Sequence, residues 1–300
     1  MANRFTNGTW SVWTNIAGTV VSDPSCASDG AGNIICGVTG TKNTLEAITY
    51  NGSAWGAFVD SGQSIYSNTY QKSEPPTCAR LVVGSVFCAV RSQSSTLIGA
   101  MFNGTAWSSF VVGGGASLTT APSCASDSDG RVICIAQSIF SSGNNSFLNR
   151  FDGTKWEGVI PFGTAFITPI TPNCVGLGGG SFVAHAMCTL HGLDSLVYSL
   201  EFNGGPWLST NFTGFQQISG SVMSRTSCAI TTAGTLVCGW INAADSLLYE
   251  STFNGSSWSG YVKVGGPPIV SGPACAPLRS GKVLCLVVGL NNQALSTVGP

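Results

Sequence analysis

The stretch "FNGTAW" occupies Phe102–Trp107, and close copies recur: "YNGSAW" at Tyr50–Trp55, "FDGTKW" at Phe151–Trp156, "FNGGPW" at Phe202–Trp207 and "FNGSSW" at Phe253–Trp258. A degenerate version, "FTNGTW", stands at Phe5–Trp10. The tryptophans fall at positions 10, 55, 107, 156, 207 and 258, which sets a period of about 50 residues. A chain that repeats one hexapeptide six times is built from one structural unit used six times, and the rest of the sequence is read in that register.

Cysteine follows the same period. The twelve cysteines fall two per repeat: Cys26 and Cys36, Cys78 and Cys88, Cys124 and Cys134, Cys174 and Cys188, Cys228 and Cys238, Cys275 and Cys285. Five pairs are ten residues apart, and the fourth is fourteen apart because of the Gly-rich "GLGGGS" at Gly176–Ser181. Each pair brackets a turn between short apolar strands. Two such cysteines can bridge if their Cα atoms lie within about 7 Å. Six disulfides within the repeats are the expectation, with paired buried thiols as the alternative. Disulfides imply an oxidising compartment. Zinc is disfavoured, since the chain has no C-x-x-C and only 2 His.

Proline sits two residues before the first cysteine at Pro24, Pro76, Pro122, Pro172 and Pro273, with Thr226 in the fifth copy. It is tolerated where a strand begins. One unit reads as four strands. The first begins after P-x-Cys, and the second carries the other cysteine, as in "RVICIAQ" at Arg131–Gln137. The third runs into the aromatic, as in "TLIGAMF" at Thr96–Phe102, and the fourth starts at the Trp, as in "WSSFVV" at Trp107–Val112. Asn-Gly suits a tight hairpin in which both central residues take positive φ. This pattern predicts an all-β fold: a six-bladed β-propeller of four-stranded antiparallel blades. It forms one domain over 1–300, with blades at about 22–62, 74–112, 120–162, 170–213, 224–264, and 271–300 plus 1–16. Fourteen residues separate Cys88 from Phe102, and fourteen past Cys285 lies Gly299. The corner and Trp strand lacking there are found at Phe5–Trp10. The ring is therefore expected to close with three strands from the C-terminus and one from the N-terminus, which removes an exposed sheet edge.

Composition narrows the function. Only 8% of residues are charged and the net charge is −1. The seven Arg and five Lys are scattered, so no footprint for nucleic acid exists. The longest apolar runs hold about ten residues, half of what a membrane-spanning helix needs. The start "MANRFTNG" lacks the pattern of a signal peptide.

The repeated "s-P-x-C", "G-x-V-x-C-x-V-x-G" and "F-N-G-x-x-W" features resemble the β-propeller lectins of the Photorhabdus lectin-like kind, related to the Psathyrella velutina lectin. The likeness spans the whole chain. Two departures stand out: those lectins commonly have seven blades, and their strands carry aliphatic residues where this chain carries cysteine pairs. The resemblance implies binding of fucose-like or methylated sugars in pockets between blades. The six-bladed lectins of the Aleuria aurantia kind clamp fucose with Arg, Glu and Trp. Here Glu46, Glu201 and Glu250 lie at differing distances from the next Trp, and no Arg recurs at a fixed repeat position. That clamp is not supported.

Candidate ligand contacts are the repeat tryptophans Trp10, Trp55, Trp107, Trp156, Trp207 and Trp258. Their competing role is to plug the gap between neighbouring sheets. Trp13 and Trp240 fall outside the repeat pattern and join the candidates. So do Arg91 and His191, each three residues past a second cysteine. His185 reads as core. Sialidases also use six-bladed propellers, but the arginines show none of the organisation their site needs. "DSDG" at Asp127–Gly130 reads as a hairpin turn. Six N-x-S/T sequons, at Asn7, Asn51, Asn103, Asn144, Asn211 and Asn254, largely coincide with Asn-Gly turns.

These observations predict a non-enzymatic, multivalent lectin without metal or cofactor. It would be secreted or held at the cell surface and would act on glycans of cell surfaces or glycoproteins. Pairing into a homodimer is left open. The rivals are a protein-interaction platform and a sialidase-like glycan hydrolase.

Overall fold

The computed structural model describes residues 5–6, 9–10, 15–16, 18–66, 74–114, 117–140, 143–162, 170–178, 185–218, 220–278, 280–290 and 293–299. These residues form six blade sheets in chain order, all antiparallel, and a two-stranded ribbon of Phe5–Thr6 and Thr9–Trp10. Blade 1 comprises Ser25–Ser28, Ile34–Thr39, Thr44–Tyr50 and Val59–Ser64, and blades 2 to 5 repeat this four-stranded plan. Blade 6 has three described strands, Ala274–Pro277, Val283–Val288 and Ala294–Gly299. The N-terminal strand expected to complete it falls largely outside the described residues. The corner before it is present: Phe5 pairs with Trp10, as Phe102 does with Trp107. The segments that precede the first cysteine in all six repeats, from Pro24 to Pro273, line one axial hollow.

Two details differ from the sequence reading. The first strand contains its cysteine instead of following it; Cys26 lies within Ser25–Ser28. The fourth strand begins about four residues later than expected: Trp107 makes one isolated bridge to Phe102, and pairing resumes at Val111. The Asn-Gly corner explains the delay. Asn103 Oδ1 accepts hydrogen bonds from the Thr105 and Ala106 amides at 3.0 and 2.8 Å and from the Thr105 hydroxyl at 2.9 Å. Only Gly104 takes positive φ (93°), so the asparagine works through its side chain and the turn spans four residues. Asp152 makes the same three contacts with Thr154 and Lys155, which shows that the acceptor oxygen is what the corner needs.

The cysteines are disulfide-bonded, and none of the twelve is a free thiol. Cys26 is joined to Cys36, Cys78 to Cys88, Cys124 to Cys134, Cys174 to Cys188, Cys228 to Cys238 and Cys275 to Cys285. In each pair the partners stand opposite one another on the first and second strands, with Cα atoms 4.0–4.1 Å apart. The extra residues between Cys174 and Cys188 lengthen the turn and leave this register intact. The disulfides fill the space between blades. Cys78 and Cys88 share a core with Ile35, Ala47, Val86 and Phe102, and Cys134 and Cys188 are buried in the same way in the next two cores. A Cβ on Gly37 of blade 1 would stand 2.6 Å from Cys78 Sγ, so only glycine admits the sulfur there. Such cores join blades 1–2, 2–3, 3–4, 4–5 and 5–6.

A second tie binds the inner strands. The residue before the first cysteine of one blade accepts the amide of the first cysteine of the next. Ser25 Oγ takes Cys78 N–H at 2.9 Å, Thr77 takes Cys124 at 2.9 Å, Ser123 takes Cys174 at 3.0 Å, Asn173 takes Cys228 at 3.2 Å and Ser227 takes Cys275 at 2.9 Å. These amides face the axis, where no further strand can satisfy them. The sixth blade has Ala274 at this position, which carries no acceptor oxygen.

Removing one tie should cost what an unpaired buried amide costs. Ser123→Ala is expected to lower stability by about 1–2 kcal/mol in urea unfolding of the oxidised protein.

Candidate ligand-binding clefts between the blades

The repeat tryptophans stand at the blade boundaries. Each packs against the aromatic that opens its own corner: Tyr50–Trp55 at 5.1 Å, Phe102–Trp107 at 4.9 Å, Phe151–Trp156 at 5.5 Å, Phe202–Trp207 at 5.4 Å and Phe253–Trp258 at 5.2 Å. Four indole N–H groups then cross to the preceding blade. Trp107 donates to Val59 O at 3.0 Å, Trp156 to Val111 O at 3.1 Å, Trp207 to Gly158 O at 2.7 Å and Trp258 to Ser199 Oγ at 3.0 Å. These rings are wedges with their polar handle engaged, and only part of each faces solvent. The side chain of Trp10 and all of Trp13 lie outside the described residues.

The repeat motifs do not announce a further aromatic column. The residue leading into the fourth strand is Phe58, Phe110, Val159, Phe215 and Tyr261 in blades 1 to 5. In blades 1, 2 and 5 its signal is a Trp-x-x-aromatic spacing, which Trp10 and Trp13 also obey, whereas in blade 4 Phe215 stands eight residues past Trp207. Tyr261 is the most open of these and is 52% exposed. Its ring lies 6.1 Å from Tyr249 and 6.4 Å from Trp240, and a Cβ on Gly220 of blade 4 would sit 3.2 Å from its hydroxyl. Tyr249 donates its hydroxyl to Asp245 Oδ2 at 3.1 Å, and Lys263 Nζ pairs with the same oxygen at 3.1 Å. Desolvation pulls the Asp245 carboxyl up, but bonds from Lys263, the Leu247 amide and Tyr249 outweigh it and hold it below the usual range. The boundary of blades 4 and 5 thus presents an open aromatic face beside an ionised Asp–Lys pair.

The other sequence candidates are placed differently. Trp240 is fully buried with Val197, Ile218 and Val222, and its indole N–H has no partner. It forms the floor beneath Tyr261. Arg91 is occupied: it pairs with Glu74 at 3.1 Å, bonds Ser95 Oγ at 3.2 Å and lies 3.7 Å over the Tyr66 ring. His191 is buried and neither ring nitrogen is bonded. Burial pushes its pKa down to about 4, so it is neutral in the folded chain.

One charged constellation appears that sequence spacing does not reveal. Arg150, only 1% exposed, reaches Asp127 at 3.7 Å, Asp129 at 4.0 Å and Glu157 by a short charged hydrogen bond. It donates to Gly205 O at 3.0 Å and faces the rings of Phe202 and Trp207 at 5.0 and 5.1 Å, all in blade 4. His185 has a partly exposed side chain, so it is no core residue, and its Nδ1 lies 3.2 Å from Asp129. Asp127 also shapes the "DSDG" turn by accepting the Asp129 and Arg131 amides, as the hairpin reading expected. The groups come from separate hairpins, which is why no linear motif marks them. Among the described residues no cluster of three or more His, Cys, Asp or Glu could hold a metal ion.

No protein-family model matches the chain, and no curated protein matches it. Solved structures do share its fold. The BP39L lectin from Burkholderia pseudomallei is similar over 98% of this chain and 89% of its own, with a TM-score of 0.75 at 10% identity. The fungal lectin of Aleuria aurantia, a six-bladed β-propeller described with a fucose recognition mode, is similar over 92% and 95%, with a TM-score of 0.54 at 11% identity. A Hadza microbial sialidase, Hz136, is similar over 92% of this chain and 65% of its own, with a TM-score of 0.60 at 9% identity. At these identities the likeness establishes the six-bladed propeller fold.

Two expectations follow from the buried groups. Removing Arg150 leaves Asp127 buried without its countercharge, so Arg150→Met should cost about 3–5 kcal/mol in urea unfolding, and Asp127→Asn in that background should recover part of it. His191 stays neutral while the unfolded chain takes a proton below its ordinary pKa of 6.5. Stability should therefore fall as pH drops from 6.5 to about 4, by up to about 3 kcal/mol relative to a His191→Leu variant measured in parallel.

Proposed function

We propose that the chain is a non-catalytic lectin that binds neutral, hydroxyl-rich sugar ends in the clefts between adjacent blades. The observation that carries this reading is the half-exposed aromatic column at the fourth strands, with Tyr261 beside the Asp245–Lys263 pair. Sugars present C–H patches that pack on aromatic faces, while their hydroxyls need a few fixed donors and acceptors. Fucose-like or methylated sugars suit this surface, as they combine an apolar edge with hydroxyls. The expected likeness to the Photorhabdus and Psathyrella lectins belongs to this proposal, as does the fucose named for the Aleuria aurantia structure.

Repetition supports the same conclusion. A catalytic centre needs one asymmetric pocket, whereas multivalent attachment needs several alike. Weak sites presented together can raise avidity by roughly 10²–10⁴ on a surface rich in the sugar. The column keeps an aromatic at Phe58, Phe110, Phe215 and Tyr261 and loses it at Val159. The boundary of Val159 is therefore the weakest candidate. Glycans on cell surfaces or glycoproteins are the natural partners, and six disulfides fit an oxidising compartment outside the cytoplasm.

The charged constellation at blades 3 and 4 is what favours the hydrolase reading. Its guanidinium is saturated by carboxylates and a carbonyl and is shut away from solvent, which suits a stitch between blades better than a substrate clamp.

A glycan array followed by calorimetry should show millimolar to micromolar binding with several sites per chain. Tyr261→Ala should remove the site at blades 4 and 5 and lower the stoichiometry by about one. Turnover of a chromogenic glycoside, or no binding to any sugar, would overturn the proposal.

A further inference from the structure

The axial hollow opens, at the end where second strands turn into third strands, into a mouth of about 720 Å³. Its wall includes Met223, Val270, Leu286 and Val288, together with Arg225 and Asp23. Apolar side chains of this size are out of place at an open rim. The linkers pair briefly with the second strands through Val222 and Ile269, which are buried in the blade cores. Their neighbours point the opposite way, so Met223 and Val270 are each 51% exposed toward the mouth. Leu286 adds a third exposed apolar group.

The apolar residues are confined to one arc. Five positions before the first cysteine stand Val21, Met223 and Val270, in blades 1, 5 and 6, whereas blade 3 has Thr119. Three positions after the second cysteine blade 6 places Val288 in the wall, against Thr39, Arg91, Gln137 and His191 in blades 1 to 4. Two charges flank the arc at one further offset, three before the first cysteine: Arg225 in blade 5 and Asp23 in blade 1, with Gly272 of blade 6 between them. Neither makes an ion pair among the described residues. A Cβ on Gly272 would lie 2.8 Å from Arg225 Cγ, so the missing side chain gives the arginine stem its course along the wall.

We propose that this mouth is a second binding site, distinct from the clefts between blades, for a single-chain amphiphile with a zwitterionic head. The chain lies on Met223, Val270 and Leu286. The anionic part of the head, such as a phosphodiester, meets Arg225, and the cationic part meets Asp23. The volume falls within the range of small-molecule sites, and the ligand would cover apolar surface that is otherwise hydrated. One positive and one negative group on either side of a glycine match a dipolar head, while a head of one sign meets repulsion from one of them.

The test is calorimetric titration of the full, oxidised chain with dodecylphosphocholine below its micelle concentration, alongside dodecyl sulfate and dodecyl maltoside. Saturable one-to-one binding of dodecylphosphocholine, at least fivefold tighter than the other two, is the expected result. Met223→Ser with Val270→Ser should weaken it tenfold or more with an unchanged melting temperature, since both side chains are exposed. Arg225→Gln and Asp23→Asn should each weaken dodecylphosphocholine several-fold and leave dodecyl maltoside unaffected. The site is refuted by absence of saturable binding, by equal binding of all three detergents, or by binding indifferent to the paired change at Met223 and Val270.

Discussion

The structure depends on what happens to the inward edge of each first strand. A strand at the axis of a ring has a neighbour on one side only, and its amides on the other side would be stranded. The fold resolves this with one side-chain oxygen in each of blades 1 to 5. Ser25, Thr77, Ser123, Asn173 and Ser227 each take the amide of the next blade's first cysteine. The contact sets the spacing between neighbouring sheets at the axis, and the disulfides and tryptophans then fill the space that this spacing leaves. Where blades lie close, glycine is required, as at Gly37 against Cys78 Sγ.

Farther from the axis the sheets splay, and larger groups take over. Four corner tryptophans, Trp107, Trp156, Trp207 and Trp258, span the gap and anchor their N–H groups on the preceding blade. Between blades 3 and 4 this job is shared with Arg150, which crosses to Gly205 while its charge is balanced from its own blade. The rim therefore combines a stiff, satisfied interior with aromatic side chains at the fourth strands that are only partly covered. Tyr261 is the clearest of these, because its hydroxyl abuts a glycine and its face stays open.

The architecture is legible because it is periodic. A hexapeptide and a cysteine pair recurring at fixed spacing place strands, corners and disulfides without knowledge of any contact. Cys36, Cys134, Cys188 and Cys238 each face the first cysteine of their own blade, even where the intervening turn is four residues longer. The axial acceptors stay hidden because the column mixes Ser, Thr and Asn, whose shared property is an oxygen and not a letter. The corner asparagine reads as a backbone device, whereas its side chain does the work, as the aspartate at 152 makes plain. Trp240 and His191 look available because they are polar or aromatic outliers, yet the second strands that carry them are buried along their whole length on both faces. The Arg150 constellation leaves no trace in the sequence, since residues 127, 150, 157 and 185 meet only after three hairpins have folded.

The axial contacts all run in one direction. In each of the five the oxygen belongs to the earlier blade and the amide to the later one. A chain leaving the ribosome would expose each oxygen before the amide that needs it has been made, so every new blade meets a finished surface on which to settle. Ala274 marks where that order stops, since the last blade carries no oxygen at this position. Growth of the ring would thus keep pace with translation, and only the meeting of blades 6 and 1 would proceed without a waiting acceptor.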